Sequence, residues 1–284
     1  MGIIGTGASA IQAIPVIAQQ AGHLTVFQRT AQFTIPAANG PLDPQFVELW
    51  KKNYPEWRRR ARLSAAGVPY TGTDVSALEV SAEERHARYE ATWKQGGFLF
   101  SLGTYKDLLL DEEANATAAD FVRGKIDEIV DDPEVAAKLK PTGYPIATKR
   151  LPLDTDYYVT FNRPNVTLVD LRESPIEEIT EAGIRTSAAL HELDVIIFAT
   201  GFDALTRPLT ALNITGRAGR TLEDAWAEGP RTYLGLAVPG FPQPVHHHRP
   251  PAARRCSATC RCRPSSTPNG SATAWPSCAP VAST

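Results

Sequence analysis

The sequence predicts an α/β fold in which a Rossmann-like nucleotide-binding unit is interrupted by a helical insert. Three observations predict it. The chain begins "MGIIGTGASAIQ", an apolar strand end that runs into a glycine turn and then a helix. Residues 42 to 140 change to helical spacing with helix-start signals. Residues 141 to 203 return to β-rich runs, the last of which, "DVIIFATGF", is continuous and apolar as in a buried parallel strand.

Each element has its own local reason. "GII" is a strand end and "GTGASA" the turn. "AIQAIPVIAQQAG" is an apolar helix closed by Gly22, and Pro15 inside it is expected to kink it or shift a turn. "LTVFQR" is the second strand. "PQFVELWKKNYPEWRRRARLSA" has helical spacing, and Arg58, Arg59, Arg60 and Arg62 read as a solvated face. "SAEERHARYEATWKQ" opens with Ser81 and Glu84 as a capping box. "DPEVAAKLK" puts Asp132 at an N-cap and Pro133 at the first helical position. "YYVTF", "VTLVDL", "GIRTS" and "DVIIFATGF" read as strands. Residues 205 to 242 are mixed and rich in Gly and Pro, and no periodicity is found beyond Gln243.

Composition narrows the classes. The 284 residues suffice for one large domain or two ordinary ones, and 43% hydrophobic content allows a sizeable core. A net charge of -2 gives no electrostatic reason to expect nucleic acid or an anionic membrane. The longest apolar runs fall far short of the ~20 residues that span a bilayer. No basic leader region precedes the glycines, so a cytoplasmic location is expected and the Asn165-Val166-Thr167 glycosylation match reads as chance. The four cysteines, Cys256, Cys260, Cys262 and Cys278, all lie near the end of the chain, and no acidic residue follows Glu228. His246, His247 and His248 followed by C-x-x-x-C-x-C lack ordinary zinc spacing, so no metal is expected.

The chemistry sits in the first turn. Gly5, Gly7 and Ala10 form G-x-G-x-x-A directly after a strand. Gly5 permits the tight turn, Gly7 lets a pyrophosphate approach the backbone, and Ala10 lets helix and strand pack closely. The helix N-terminus then offers free N–H groups to phosphate. The motif alone is weak, but strand, helix and second strand all fall where it needs them. At the end of the second strand, where NAD sites carry a carboxylate for the ribose, this chain has Arg29 and Thr30. A guanidinium there suits a 2′-phosphate, so NADP is preferred. Lys149 and Arg150 stand side by side after "TGYP"; on their own they read as a solvated basic loop.

Taken together, "IGTGASAIQ", "LTVFQRTAQFTIPA", "YPIATKR", "YYVTFNRPNVTLVD", "PIEEIT", "ELDVIIFATGFDALT" and "GPRTYLGLAVPGFP" resemble, in order, the middle of flavin-dependent Baeyer–Villiger monooxygenases of the cyclohexanone and phenylacetone type. The resemblance covers residues 2 to 242. It implies an oxidoreductase with FAD on one domain and NADPH on another, in which NADPH reduces the flavin and one oxygen atom of O2 is inserted beside a ketone carbonyl to give an ester or lactone. By position it implies that Gly5, Thr6, Gly7, Ala8, Ser9, Ala10 and Gln12 cradle the pyrophosphate. Arg29, Thr30 and Lys149 would take the 2′-phosphate, and Arg150 would be the active-site arginine, a permanent cation beside the flavin. Residues 1–36 and 141–204 would form the NADP-binding domain, 37–140 the helical insert and 205–242 a partial return to the FAD-binding domain.

Two departures shape the expectation. The family's first G-x-G-x-x-G, which holds FAD, and its F-x-G-x-x-x-H-x-x-x-W fingerprint lie upstream of the NADPH motif and have no counterpart here. An N-terminally truncated fragment is therefore expected, with exposed apolar faces and poor solubility. After "PGFP" the family continues in the style of N-L-F-T-I-T-G-P. Codons can be chosen under "QPVHHHR" and "AARRCSATCRCRPSSTPNGSATAW" so that a shifted frame restores that style. Residues 243–284 are thus read as a disordered, out-of-frame tail. The expected partners are a small-molecule ketone and O2, without nucleic acid or membrane. Two alternatives stand beside this reading: an N- or S-oxidising flavin monooxygenase, and an NADP-binding module without catalysis because the FAD motif is missing.

Overall fold

A computed structural model of the chain describes residues 1–64, 67–69, 72–203 and 206–242. The expected out-of-frame tail, with its histidine run and all four cysteines, lies outside the described residues. The chain divides into two compact units, Met1–Gly201 and Phe202–Thr284.

The first unit opens with β1 (Gly2–Ile4), α1 (Ala8–Gln20), β2 (Leu24–Gln28) and the short β3 (Ile35–Pro36). Six helices follow among the described residues: α2 (Pro44–Lys52), α3 (Tyr54–Leu63), α4 (Ala82–Gln95), α5 (Leu99–Leu102), α6 (Glu112–Ile129) and α7 (Pro133–Leu139). Then come β4 (Leu153–Asp154), α8 (Tyr157–Thr160), β5 (Val166–Asp170), β6 (Ile176–Thr180), β7 (Gly183–Thr186), β8 (Leu190–Glu192) and β9 (Ile196–Phe198). The central sheet is parallel, in the order β5-β2-β1-β9, with Ile3 opposite both Val26 and Ile197. The antiparallel β6-β7-β8 meander connects β5 to β9.

Helix α1 buries one face. Ala10, Ile11, Ile14 and Ala18 are fully buried and cluster with Ile3, Leu24 and Val26 of the sheet. Each large aliphatic side chain buried there contributes about 1.5–3 kcal/mol. The expected shift at Pro15 does not end the helix, which runs through it from Ala8 to Gln20 with the proline ring buried. The helical stretch is joined to this core. Ile126, Val130, Ala136 and Leu139 belong to the same cluster as the sheet residues. The remainder of the stretch encloses a second, aromatic core of Phe33, Tyr89, Trp93, Phe100, Tyr105 and Phe121.

Several helix starts follow from their caps. Ser81 Oγ accepts the Glu84 N–H at 3.2 Å, and Asp132 Oδ1 accepts the Glu134 N–H at 2.8 Å. Residues 44 to 63 form two helices that meet at Asn53. Pro55 cannot continue a helix from the preceding turn but fits the first turn of a new one.

Two sequence expectations are corrected. "YYVTF" is the short helix α8 rather than a strand. Asp154 Oδ1 accepts the Tyr157 N–H at 2.6 Å, and Asp156 takes a left-handed conformation (φ 62°) that starts the turn. A short run of aromatic and β-branched residues reads alike as strand or helix, and here it packs as a helix against α1. "DVIIFATGF" is parallel as expected, but it forms the sheet edge. Ile196 and Ile197 are only half-buried, and Phe198 is 62% exposed.

In the second unit, α9 (Arg207–Thr210) and α10 (Leu222–Ala225) accompany a small core of Leu222, Trp226, Val238 and Phe241.

Candidate functional site

The strand order reverses at β1, with β2 and β5 on one side and β9 on the other. Open α/β sheets bind ligands at such a switch point, beyond the carboxyl ends of the strands. A cleft of about 460 Å³ lies there, lined by Gly5, Thr6, Gly7, Arg29, Thr30, Gln32, Lys149 and Thr200, with Phe27 and Leu171 at its apolar wall.

The two glycines do different things. Gly5 has φ +115°, and a Cβ on it would lie 2.5 Å from the Ala199 carbonyl oxygen, so it lets β1 and β9 close together. Gly7 is extended (φ -80°), and a Cβ on it would meet nothing within 4 Å. It faces open space at the start of α1, where no side chain caps the helix. The first-turn amides of Ala8, Ser9 and Ala10 have no intrahelical acceptor, and the dipole there is positive. This is a fitting cradle for a pyrophosphate.

The second strand's loop is held from several directions. Thr6 Oγ1 donates to the Thr30 carbonyl at 2.6 Å, and Arg172 Nε donates to the Arg29 carbonyl at 2.9 Å. The β3–β4 pairing, with Ile35 opposite Leu153, draws the segment carrying Lys149 and Arg150 alongside this loop. Gln32 Nε2 donates to the Arg150 carbonyl at 2.9 Å. Tyr144 Oη lies 2.7 Å from Gln32 Oε1 and 2.9 Å from the Ala31 carbonyl, and the Lys149 ammonium sits 4.0 Å from the Tyr144 ring centroid. Burial pushes the Tyr144 hydroxyl above its usual titration range, so it remains a donor.

The cleft thus brings together Gly5, Thr6, Gly7, Arg29, Thr30 and Lys149. Ala8, Ser9, Ala10, Gln12 and Arg150 stand outside its lining. Ala10 is fully buried against the sheet, and Gln12 Nε2 turns back to the Ala8 carbonyl at 2.9 Å. The Arg150 side chain is exposed. Arg29, Lys149 and Arg150 enter no ion pair among the described residues, which leaves three cations free to meet an anion. Gln32, Tyr144 and Arg172 support the site without having been singled out from sequence. Their bonds join residues more than a hundred positions apart, and no local pattern announces them. Among the described residues no cluster of three or more His, Cys, Asp or Glu could hold a metal, and no helix is long and apolar enough to cross a membrane.

No protein-family model matches the chain. It is 45% identical over 242 residues to 2-oxo-Delta(3)-4,5,5-trimethylcyclopentenylacetyl-CoA monooxygenase of Pseudomonas putida, covering 85% of this chain and 44% of that protein. It is 43% identical over 244 residues to phenazine N-monooxygenase PhzNO1 of Lysobacter antibioticus, covering 85% of this chain and 45% of that protein. A solved steroid monooxygenase bound to NADP superposes with a TM-score of 0.78 at 53% identity, over 84% of this chain and 46% of that one. The chain spans less than half the length of these relatives. Its homologues in sequence and structure include cyclohexanone, cyclopentanone and acetone monooxygenases.

Proposed function

Because the chain is homologous to Baeyer–Villiger monooxygenases over most of its length, we propose that it is the NADPH-binding portion of such an enzyme. The whole enzyme would use NADPH, FAD and O2 to insert oxygen beside a small ketone's carbonyl, giving an ester or lactone. The observation behind this reading is the cleft at the switch point, where a space left open by Gly7 meets the unpaired cations Arg29 and Lys149.

Each residue has a physical task. The α1 N-terminus and the bare Gly7 backbone accept the pyrophosphate. Arg29, Thr30 and Lys149 hold the 2′-phosphate, and a charge-assisted bond to each cation favours NADP over NAD. FAD, when bound to such an enzyme, supplies the electron acceptor and the oxygen-activating ring. The described residues form one nucleotide cradle of this kind, which we assign to NADPH, and none is assigned to FAD. Arg150 is read as the permanent cation that the flavin side of the enzyme would use. Residues 1–36 and 141–204 serve as the NADP-binding domain, 37–140 as its helical insert and 205–242 as the start of a return to the FAD-binding domain, in a cytoplasmic protein.

Calorimetric titration with NADP+ and NAD+ tests the reading. A preference for NADP+ of tenfold or more is expected, from roughly 1.5–3 kcal/mol per charge-assisted bond. Equal affinities, or no binding of either, would refute it. Similarity to a phenazine N-monooxygenase favours a second reading, oxidation at nitrogen. Product analysis of the full-length enzyme separates the two: a lactone supports the first, an N-oxide the second. A colourless purified chain stabilised by NADPH would mark it as an NADP-binding module without catalysis of its own.

A further inference from the structure

We propose that Tyr144 is a positioning residue that sets the preference for the 2′-phosphate, holding Lys149 with its ring and the Arg29–Gln32 loop with its hydroxyl. The inference rests on the NADP reading of the cleft and goes beyond it, because Tyr144 does not line the cleft.

The geometry is that of one side chain joined to two phosphate-holding segments. The Lys149 ammonium lies 4.0 Å from the ring centroid, within the range of a cation–π contact. A lysine on an exposed loop otherwise samples many rotamers, and fixing it beforehand lowers the entropy lost on binding. The ring is itself fixed, edge-on to the buried Phe33 at 5.6 Å between centroids. At its far end the hydroxyl proton is offered to Gln32 Oε1 and the Ala31 carbonyl, at 2.7 and 2.9 Å. Those acceptors follow Arg29 and Thr30 directly in the chain. Gln32 passes the connection on through its amide to the Arg150 carbonyl. One side chain therefore supports Lys149 with its ring and the loop that carries Arg29 with its hydroxyl. Tyrosine suits the place because its face attracts a cation while its edge donates a hydrogen bond, and burial keeps that proton in place.

Tyr144→Leu removes ring and hydroxyl, and Tyr144→Phe removes the hydroxyl alone. The readout is the ratio of NADP+ to NAD+ affinity by calorimetry on the full chain. A purely structural defect would weaken both nucleotides alike and leave the ratio unmoved. Tyr144→Leu is expected to lower the ratio about tenfold, and Tyr144→Phe about threefold, as befits one cation–π contact and one hydrogen bond. An unchanged ratio in either variant overturns the proposal. Should Tyr144→Leu not fold, Tyr144→Phe still decides, since it keeps the ring and the core. Failure of the underlying reading looks different: the unaltered chain itself would then show no preference for NADP+.

Discussion

The hydroxyl of Thr6 donates to the backbone carbonyl of Thr30 at 2.6 Å, fastening the turn after the first strand to the turn after the second. The turn proposed to cradle the pyrophosphate and the loop proposed to take the 2′-phosphate are thereby held at a fixed spacing. Thr6→Ala is expected to cost about 1 kcal/mol of stability and to weaken NADP+ binding several-fold, with Thr6→Ser restoring both. Urea denaturation and calorimetry check this.

The two glycines should respond oppositely to the same substitution. Gly5→Ala places a Cβ 2.5 Å from the Ala199 carbonyl oxygen at a φ of +115°, so it should destabilise the fold by about 1–3 kcal/mol. Gly7→Ala meets nothing in the protein. It should leave the unfolding free energy within about 0.5 kcal/mol of the parent yet weaken NADP+ binding at least tenfold, because the methyl group would occupy the space proposed for phosphate.

Arg29→Ala should lower affinity for NADP+ by about 1.5–3 kcal/mol and leave NAD+ almost unaffected. Titration at low and high salt adds a check. The advantage of NADP+ over NAD+ should shrink as salt screens the exposed pair, and it should shrink less in the variant.

Asp154 predicts a pH effect on stability. Burial raises its carboxyl above the usual 3.8, against the pull of hydrogen bonds from the Tyr157 N–H and the Thr34 hydroxyl. The folded chain therefore holds this proton more tightly than the unfolded one. The stability it contributes is fully present below the unfolded value and is lost as pH rises through the folded value. Asp154→Asn should show a flatter pH profile in that window, measured by urea midpoints. An equally steep profile would rule out Asp154 as its source.

The edge strand β9 should make the isolated chain associate. Phe198 is 62% exposed, and the outer edge of β9 is unpaired among the described residues. Phe198→Lys is expected to lower the average mass seen by sedimentation at high protein concentration. No change would place the association elsewhere.

What the sequence disclosed follows from the range of the interactions. The glycine turn is local in part: the strand, turn and helix around Gly5, Gly7 and Ala10 lie where the spacing put them, while the close approach of Ala199 to Gly5 comes from the far end of the unit. Caps such as Ser81 and Asp132 are equally local. "YYVTF" misled because β-branched and aromatic residues serve a helix as well as a strand, and the Asp154 bond and the packing on α1 that accompany the helix are not visible in the run itself. The exposure of Phe198 depends on what lies beyond β9, which no property of the strand itself can reveal. Tyr144 stayed hidden for the same reason, since both residues it serves before Phe33 come from a segment over a hundred positions away.

The pairing of β1 with β9 also governs when the site can exist. Gly2 lies beside Ile196 and Ile4 beside Phe198, so β1 waits for a strand at the far end of the first unit before its second wall is in place. Contacts so distant along the chain close slowly. During synthesis the Gly5–Gly7 turn emerges early but has no Ala199 to close against until the meander has been completed. The nucleotide proposed for this cleft would therefore bind tightly only to a nearly finished first unit, acting as a late latch on folding rather than as a template for it.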